Sequence, residues 1–363
     1  MEKVARHPDG EVVALYQRSR DKAGDALASC GLDGSLYVDS FDDMIARDDV
    51  DAVFLCGPNH THGPQAIAAL EAGKHVFCEK PASIRYDEHL KLVELDRARP
   101  DQRTLVDYIL YFEGFERRLR TLVADDALGK LTHLQVNYRH AVNIAGEKAW
   151  KLDRSIMGDA IGMGINHAVS TMLFAKAPQA EVASVYATSQ PAHVRGFEAD
   201  PIWTLQLTFT DGASGVVLGN IDSGNGYDAY HSLYGVKGAI VFDSLLDRPR
   251  KVRMWREGVA DGQWVYPLDA EACAAAGVEA WPADTSTPDS GDVINHGTTD
   301  VVDHFLDCVT SGEDSPLSFA NSATVADVNW AARVSALTRR PVDFPLNPEP
   351  IASALGEPAA NGA

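Results

Sequence analysis

The amino-acid sequence predicts an α/β protein of two domains, a doubly wound parallel sheet followed by an α+β domain built on an open, mostly antiparallel sheet. Three observations carry this expectation. The chain has 363 residues, more than a single hydrophobic core usually serves. Up to about residue 106, short β-branched runs alternate with helical patterns, as in parallel β-α-β units. Beyond that point the strands alternate apolar and polar residues with period two, as in an antiparallel sheet covered on one face.

In the first domain, residues 11–16 (EVVALY) predict a strand, 20–29 a helix, 51–56 (DAVFLC) a strand and 63–72 a helix. Residues 74–78 (KHVFC) predict the next strand, 86–98 a helix and 103–108 a last strand. Right-handed crossovers place such helices on both faces of the sheet. In the second domain a helix at 112–124 precedes strands at 131–138, 181–188, 202–209, 213–220, 230–236 and 239–242. Asp211-Gly212, between two of these strands, signals a hairpin. Residues 258–295, rich in Ala, Asp, Ser, Thr and Pro, predict a long surface excursion, and 300–308 and 321–338 predict amphipathic helices. The tail from residue 347 is rich in Pro, Ala and Gly and is expected to be disordered. The expected division is therefore 1–106, 107–346 and a tail at 347–363.

Composition narrows the partners. A formal net charge of −20 repels a phosphate backbone, and no Lys/Arg cluster with interleaved aromatics offsets it, so nucleic acid is not an expected partner. No apolar run reaches the ~20 residues that cross a bilayer, and the first ten residues (MEKVARHPDG) lack the apolar stretch of a signal peptide. A cytoplasmic location without membrane association is the resulting expectation. Cys30, Cys56, Cys78, Cys273 and Cys308 are scattered and form no CxxC pair, so neither a disulfide framework nor a metal site is expected.

The chemistry concentrates between residues 51 and 81. Ligands of doubly wound sheets sit at the carboxyl ends of the strands. Residues 57–62 (GPNHTH) and 79–81 (EKP) both fall at such ends, so Asn59, His60, His62, Glu79 and Lys80 are expected to converge. This stretch resembles the Gfo/Idh/MocA family, named after glucose–fructose oxidoreductase and inositol dehydrogenase. The family pattern is a strand ending in TPNxxH, a helix ending ALxxGKHVxxEKP, and then a substrate domain on an open antiparallel sheet. Here Pro58-Asn59 and His62, Ala69-Leu70, Gly73-Lys74-His75-Val76 and Glu79-Lys80-Pro81 match it at the same spacing. The likeness continues through 127–131 (ALGKL), Trp150-Lys151, 234–238 (YGVKG) and Pro341-Val342.

The resemblance implies a Rossmann-like first domain, a nicotinamide cofactor and hydride exchange with a hydroxyl carbon of a sugar, sugar derivative or cyclitol. It implies that Cys56, Pro58, Asn59, His62, Glu79 and Lys80 line the cofactor site. Lys80 would stand beside the nicotinamide and the substrate hydroxyl, where an ammonium stabilises developing alkoxide charge and relays a proton. Read from spacing alone, Lys80 is equally a surface lysine at a strand end. His167, in GDAIGMGINH, matches the family's catalytic histidine and suits general base work. The aspartate that the family often has four residues earlier is Met163 here, and Ser170 stands three residues after the histidine, which leaves Asn166 as the polar neighbour. Trp150, Lys151 and Asp153 resemble a stretch that lines the substrate pocket, and Tyr230 and His231 precede a strand whose face lines it. Tyr111 stands where many relatives carry Arg. A homo-oligomer, dimer or tetramer, is implied as well. Retained-cofactor lyase or glycosidase chemistry, and a non-catalytic sugar-binding subunit, are the alternatives.

Gln17-Arg18-Ser19-Arg20 follows strand EVVALY, where an acidic residue normally holds the ribose of NAD and repels the phosphate of NADP. Gln17 removes that repulsion and Arg18 adds a cation, so of NAD and NADP the pattern favours NADP. Two glycine patterns, GNGYDA at 224–229 and GMGINH at 162–167, lack the strand-turn-helix context of a dinucleotide fingerprint. Fingerprint glycines precede the residue that ends the second strand by about 20 positions, and counting back from Gln17 runs past Met1. The sheet is therefore expected to lack its first strand, with a native start roughly 20–30 residues upstream. Poor dinucleotide binding and aggregation are expected of the chain as given.

Overall fold

The computed structural model describes residues 1–229, 231–242, 252–282, 285 and 298–357. The chain forms two compact units, Met1–Asp107 with Thr298–Thr324, and Tyr108–Gly297 with Val325–Ala363.

In the first unit, β1 (Leu15–Tyr16) pairs in parallel with β2 (Tyr37–Val38). β3 (Ala52–Leu55), β4 (His75–Cys78) and β5 (Thr104–Val106) form a second parallel group in that order. No described strand joins the two groups. The helices are α1 (Glu2–Arg6), α2 (Arg20–Ser29), α3 (Phe41–Ile45), α4 (Asn59–Glu71) and α5 (Tyr86–Ala98). Of the run 11–16, only the last two residues pair, and both stay half-buried. β2 and α3 were not among the expected elements. α3 is set by a local cap rather than by periodicity: Ser40 Oγ accepts from the Asp43 amide at 3.0 Å and donates to the Asp43 carboxylate at 2.6 Å. α4 begins at Asn59, four residues before the expected start, and continues through Pro64. Gly63 lets α4 pass close to Glu88, whose Oε2 would lie 2.2 Å from a Cβ there.

The core of this unit contains Val53, Leu55, Val76, Phe77, Leu105 and Val106, all buried. Residues 298–324, which the sequence places in the second domain, belong to it. In the helix Thr298–Ser311, Phe305 is buried and meets Phe54 edge-on at 5.3 Å and Phe77 at 5.7 Å. Apolar burial outweighs position along the chain.

The second unit contains β6 (Leu131–Ala141), β7 (Val182–Gln190), β8 (Ile202–Phe209), β9 (Ser214–Asn220), β10 (Asp222–Asp228), β11 (His231–Gly235), β12 (Gly238–Phe242), β13 (Val252–Arg256) and β14 (Val342–Asp343). They form one sheet in the order β13-β12-β11-β6-β9-β8-β7-β14, with β10 also paired to β6. Its pairs are antiparallel except β6 with β9. β8 shows the alternation that made it legible: Trp203, Leu205, Leu207 and Phe209 are buried, Thr204, Gln206 and Thr208 exposed. Gly212 closes the β8–β9 hairpin at φ +86°, a conformation costly for any residue with a side chain. α6 (Gly114–Ala124), α7 (Arg154–Met157) and α8 (Asn166–Lys176) belong to this unit, and α8 is buried along most of its length.

Two regions depart from expectation. The stretch read as a surface excursion holds a helix at Ala270–Ala275 with Cys273 buried. The tail read as disordered holds a helix at Pro348–Leu355, capped by Asn347 and anchored by buried Ile351 and Ala352. Its Pro-rich start suits a first helical turn, where a missing N–H costs nothing. Residues 358–363, Tyr230 and 286–295 of the expected excursion lie outside the described residues. Among the described residues no helix is long and apolar enough to cross a membrane.

Candidate active site

In the first unit the carboxyl ends of β3, β4 and β5 carry the residues that matter. The sequence brings two turns there, 57–62 and 79–81, and His62 ties them together. Its Nδ1 lies 2.8 Å from the Pro81 carbonyl oxygen and its Nε2 2.8 Å from that of Gly57. Both ring nitrogens are committed to main chain, and burial holds the ring below the usual imidazole pKa. His62 thus spans the two turns that were expected to form the cofactor site. Asn59 is buried at the first position of α4, and His60 beside it has its Nδ1 buried without a hydrogen-bond partner.

Glu79 extends β4. Its amide donates to the Leu55 carbonyl at 2.9 Å, and its carboxylate accepts from the Lys80 amide at 3.1 Å. Lys80 is half-buried. Burial lowers its pKa from the ordinary lysine value, and the charges of Glu79 and Asp107 oppose that shift. Asp107 was not among the expected site residues. Its amide donates to the Cys78 carbonyl at 2.8 Å, which places it next to Glu79 at the end of β5. The side chain is 6% exposed and its Oδ1 is buried with no hydrogen-bond partner. Burial, and then the Glu79 charge, raise its pKa to about 8, against the pull of Lys80. The rule that pointed to EKP, ligands at carboxyl ends of strands, also points to the residue after β5.

The turn at Cys56 and Gly57 fits the close approach of a dinucleotide. Both residues are exposed, a Cβ on Gly57 would lie 2.8 Å from Thr61 Oγ1, and α4 has no side-chain cap on its first N–H groups. Pro58 is the N-cap residue of that helix. At the end of β1, Gln17 is half-buried and Arg18 exposed. Ser19 caps α2 through the Lys22 amide, and Arg20 lies 5.0 Å over the Tyr37 ring, which leaves Arg18 as the cation without such a role.

In the second unit His167 is the second residue of α8 and is half-buried. A π-helical turn at Ile161–Ile165 leads into it. Gly164 and Gly219 make that turn possible on the sheet: a Cβ on Gly219 would lie 2.5 Å from Ile165 Cδ1, and one on Gly164 3.0 Å from Ile221. The His167 ring faces the Tyr138 ring of β6 at 5.5 Å. Tyr138 had no signal in the sequence beyond its place in a strand. The two dismissed glycine patterns fall in this π-helical turn and in β10.

The expected substrate residues separate here. Trp150 and Lys151 lie in a 3₁₀ turn, half-buried, with Lys151 Nζ 5.9 Å from the Trp150 ring centre. Asp153 is instead the N-cap of α7, accepting from the Ser155 amide and hydroxyl at 2.7 Å each. Asn166 is 1% exposed and donates to the Gly162 carbonyl at 2.7 Å, so it clamps the π-helical turn. His231 is also 1% exposed, its Nε2 3.0 Å from Glu116 Oε1, with the Phe115 ring beside it. These three were expected to touch substrate, and each has a partner within the chain. Arg120, not Tyr111, supplies a cation here, 3.7 Å over the Tyr111 ring. No cluster of metal-ligating side chains occurs among the described residues.

These features, a parallel-stranded unit with EKP at a strand end and a sheet unit with a histidine after a glycine-relieved π-helical turn, define a nicotinamide-type oxidoreductase class. Residues 1–107 match the family described as "Oxidoreductase family, NAD-binding Rossmann fold", and residues 117–241 match the "GFO/IDH/MocA C-terminal domain". The chain belongs to the Gfo/Idh/MocA oxidoreductase family. It is 31% identical over 210 residues to an uncharacterized oxidoreductase of Rhizobium meliloti, covering 57% of this chain and 60% of that one. It is 33% identical over 119 residues to inositol 2-dehydrogenase 3 of Saccharopolyspora erythraea, covering 33% and 34%. These alignments thus span less than two thirds of either relative. Among solved structures, a levoglucosan dehydrogenase in complex with NADH and levoglucosan superposes with TM-score 0.74 at 20% identity, over 92% of this chain and 90% of that one.

Proposed function

We propose that the protein is an NAD(P)-dependent dehydrogenase or reductase acting on a CH–OH group of a sugar, sugar derivative or cyclitol. The observation that carries this reading is Lys80, half-buried at the carboxyl end of β4 with the charges of Glu79 and Asp107 acting on it. A lysine held this way can sit as an ammonium against alkoxide charge or as an amine that takes a proton. The half-buried position opposes the alternative of a solvated surface lysine. Related names support the substrate class, one relative being an inositol dehydrogenase and one structural neighbour holding levoglucosan and NADH.

A bound nicotinamide would accept or deliver the hydride. Cys56, Gly57 and Pro58 would approach its backbone, Asn59 and Glu79 would flank it, and Gln17 and Arg18 would meet the adenosine ribose. Gln17 carries no charge to repel a 2′-phosphate and Arg18 is exposed to bind one, so NADP is the favoured form in this reading. His167, with the Tyr138 ring 5.5 Å from its own, is the second group proposed for acid–base chemistry.

The test is a mass-detected product screen across sugars and cyclitols with NAD and with NADP, read together with NAD(P)H absorbance. A product two hydrogens lighter or heavier with matching NAD(P)H change supports the proposal. A changed carbon skeleton or cleaved glycoside without net NAD(P)H points to retained-cofactor lyase chemistry, and ligand-induced melting shifts without any product point to a binding subunit.

A further inference from the structure

We propose that Asp107 is the positioning partner of Lys80, a buried carboxyl group whose protonation state sets whether Lys80 is ammonium or amine. The inference deepens the dehydrogenase reading and rests on it for its function. Its physical basis lies within the first unit. β4 and β5 are in register at Cys78 and Val106, and the Asp107 amide donates to the Cys78 carbonyl at 2.8 Å. The chain therefore sets Asp107 alongside Glu79, one residue from Lys80. Its carboxyl is withdrawn from water, 6% exposed, and its Oδ1 has no hydrogen-bond partner.

A buried carboxyl oxygen without a partner is costly as a charge and settles either by protonation or by a neighbouring cation. The groups acting on Asp107 are the Glu79 carboxylate, which disfavours its charge, and Lys80, which favours it. The thiols of Cys56 and Cys78 also feel its charge. Two states of the pair then conserve its net charge: Lys80 ammonium with Asp107 carboxylate, or Lys80 amine with Asp107 carboxylic acid. In passing from the first to the second, one N–H bond of Lys80 breaks and one O–H bond of Asp107 forms, with no change in oxidation state. The second state makes Lys80 a base for a carbinol proton at neutral pH. Glu79 acts on Lys80 as well, and its carboxylate also accepts from the Lys80 amide at 3.1 Å.

The experiment measures the pH dependence of Lys80 acylation, read by mass spectrometry of the peptide that contains it, in the wild-type chain, Asp107→Asn and Asp107→Glu. Removing an opposite charge at close range moves a pKa by about 1–3 units, so the Lys80 midpoint should fall by that much in Asp107→Asn and return to within about half a unit in Asp107→Glu. Asp107→Ser provides a second neutral side chain should the asparagine variant not fold. A midpoint unchanged in the neutral variant overturns the proposal. The readout needs neither substrate nor cofactor. A shifted midpoint with no turnover on any sugar or cyclitol overturns the dehydrogenase reading alone, and turnover with an unshifted midpoint overturns the pairing alone.

Discussion

Ile165 occupies the space that a side chain on Gly219 would need, with its Cδ1 and Cγ2 each 2.5 Å from the position of a Cβ there. Ile165 ends the π-helical turn and His167 follows two residues later, so this contact fixes where the imidazole starts. Gly219→Ala should destabilise the protein by about 1–3 kcal/mol, the usual cost of overpacking, and lower kcat with it. Ile165→Ala in the same chain should recover part of the melting temperature. Thermal melts of the single and double variants check this, and an unshifted melt for Gly219→Ala would show that the turn yields freely.

Lys80→Met removes the amine and keeps much of the side-chain volume. It should lower kcat by roughly 10²–10⁴-fold, the range of acid–base groups, while dinucleotide affinity changes far less. Steady-state kinetics with the substrate found by the product screen, alongside cofactor titration, separate the two. Near-normal kcat would remove Lys80 from the chemistry.

Periodicity was legible where burial is one-sided. The extents of α2, α5 and β8 agree with the sequence expectation: α2 carries its own cap in Ser19, α5 buries Tyr86, His89, Leu92 and Leu95 at helical spacing, and β8 has its own alternation. β2 and α3 escaped because two and five residues are too few to show a period. The EKP turn was legible through the strand before it, and Asp107 was not, since a single carboxylate after a short strand reads as a surface residue until its burial is known. His231, Asn166 and Asp153 each have a partner within the chain, Glu116, Gly162 or Ser155, that no pattern in the sequence announces.

The His231–Glu116 pair gives a direct test of whether His231 serves the core or the substrate site. His231→Leu leaves a carboxyl group buried without its partner and should cost about 1–3 kcal/mol, while His231→Leu with Glu116→Leu should recover most of it, as replacing both partners usually does. KM for substrate should not move in either. Chemical denaturation and kinetics read the two effects separately, and a raised KM with unchanged stability would return His231 to the substrate site.

Gln17 stands at the end of β1 with Arg18 exposed beside it. Gln17→Asp places a negative charge against the 2′-phosphate of NADP and should shift the NAD to NADP preference toward NAD by about tenfold or more, the equivalent of ~1.4 kcal/mol. Cofactor titrations of both forms measure it. Strong preference of the wild-type chain for NAD would show that Arg18 does not serve a phosphate.

Asp107 also leaves a mark on stability that is independent of catalysis. Burial first, and the Glu79 charge second, raise its pKa from 3.8 to about 8, with Lys80 opposing. A carboxyl with a higher pKa folded than unfolded holds its proton more tightly in the folded chain. The stability it contributes is full below the unfolded value and is lost as pH rises through the folded one. Asparagine has the same shape and no titration, so it matches the protonated carboxyl and avoids the cost of ionising it. The melting temperature of Asp107→Asn minus that of the wild-type chain should therefore increase from about pH 4 to about pH 8 and level off above that. Thermal melts across this range at constant ionic strength make the measurement. A difference that stays flat, or that falls as pH rises, would mean that Asp107 is ionised throughout and that Lys80 outweighs burial and Glu79 together.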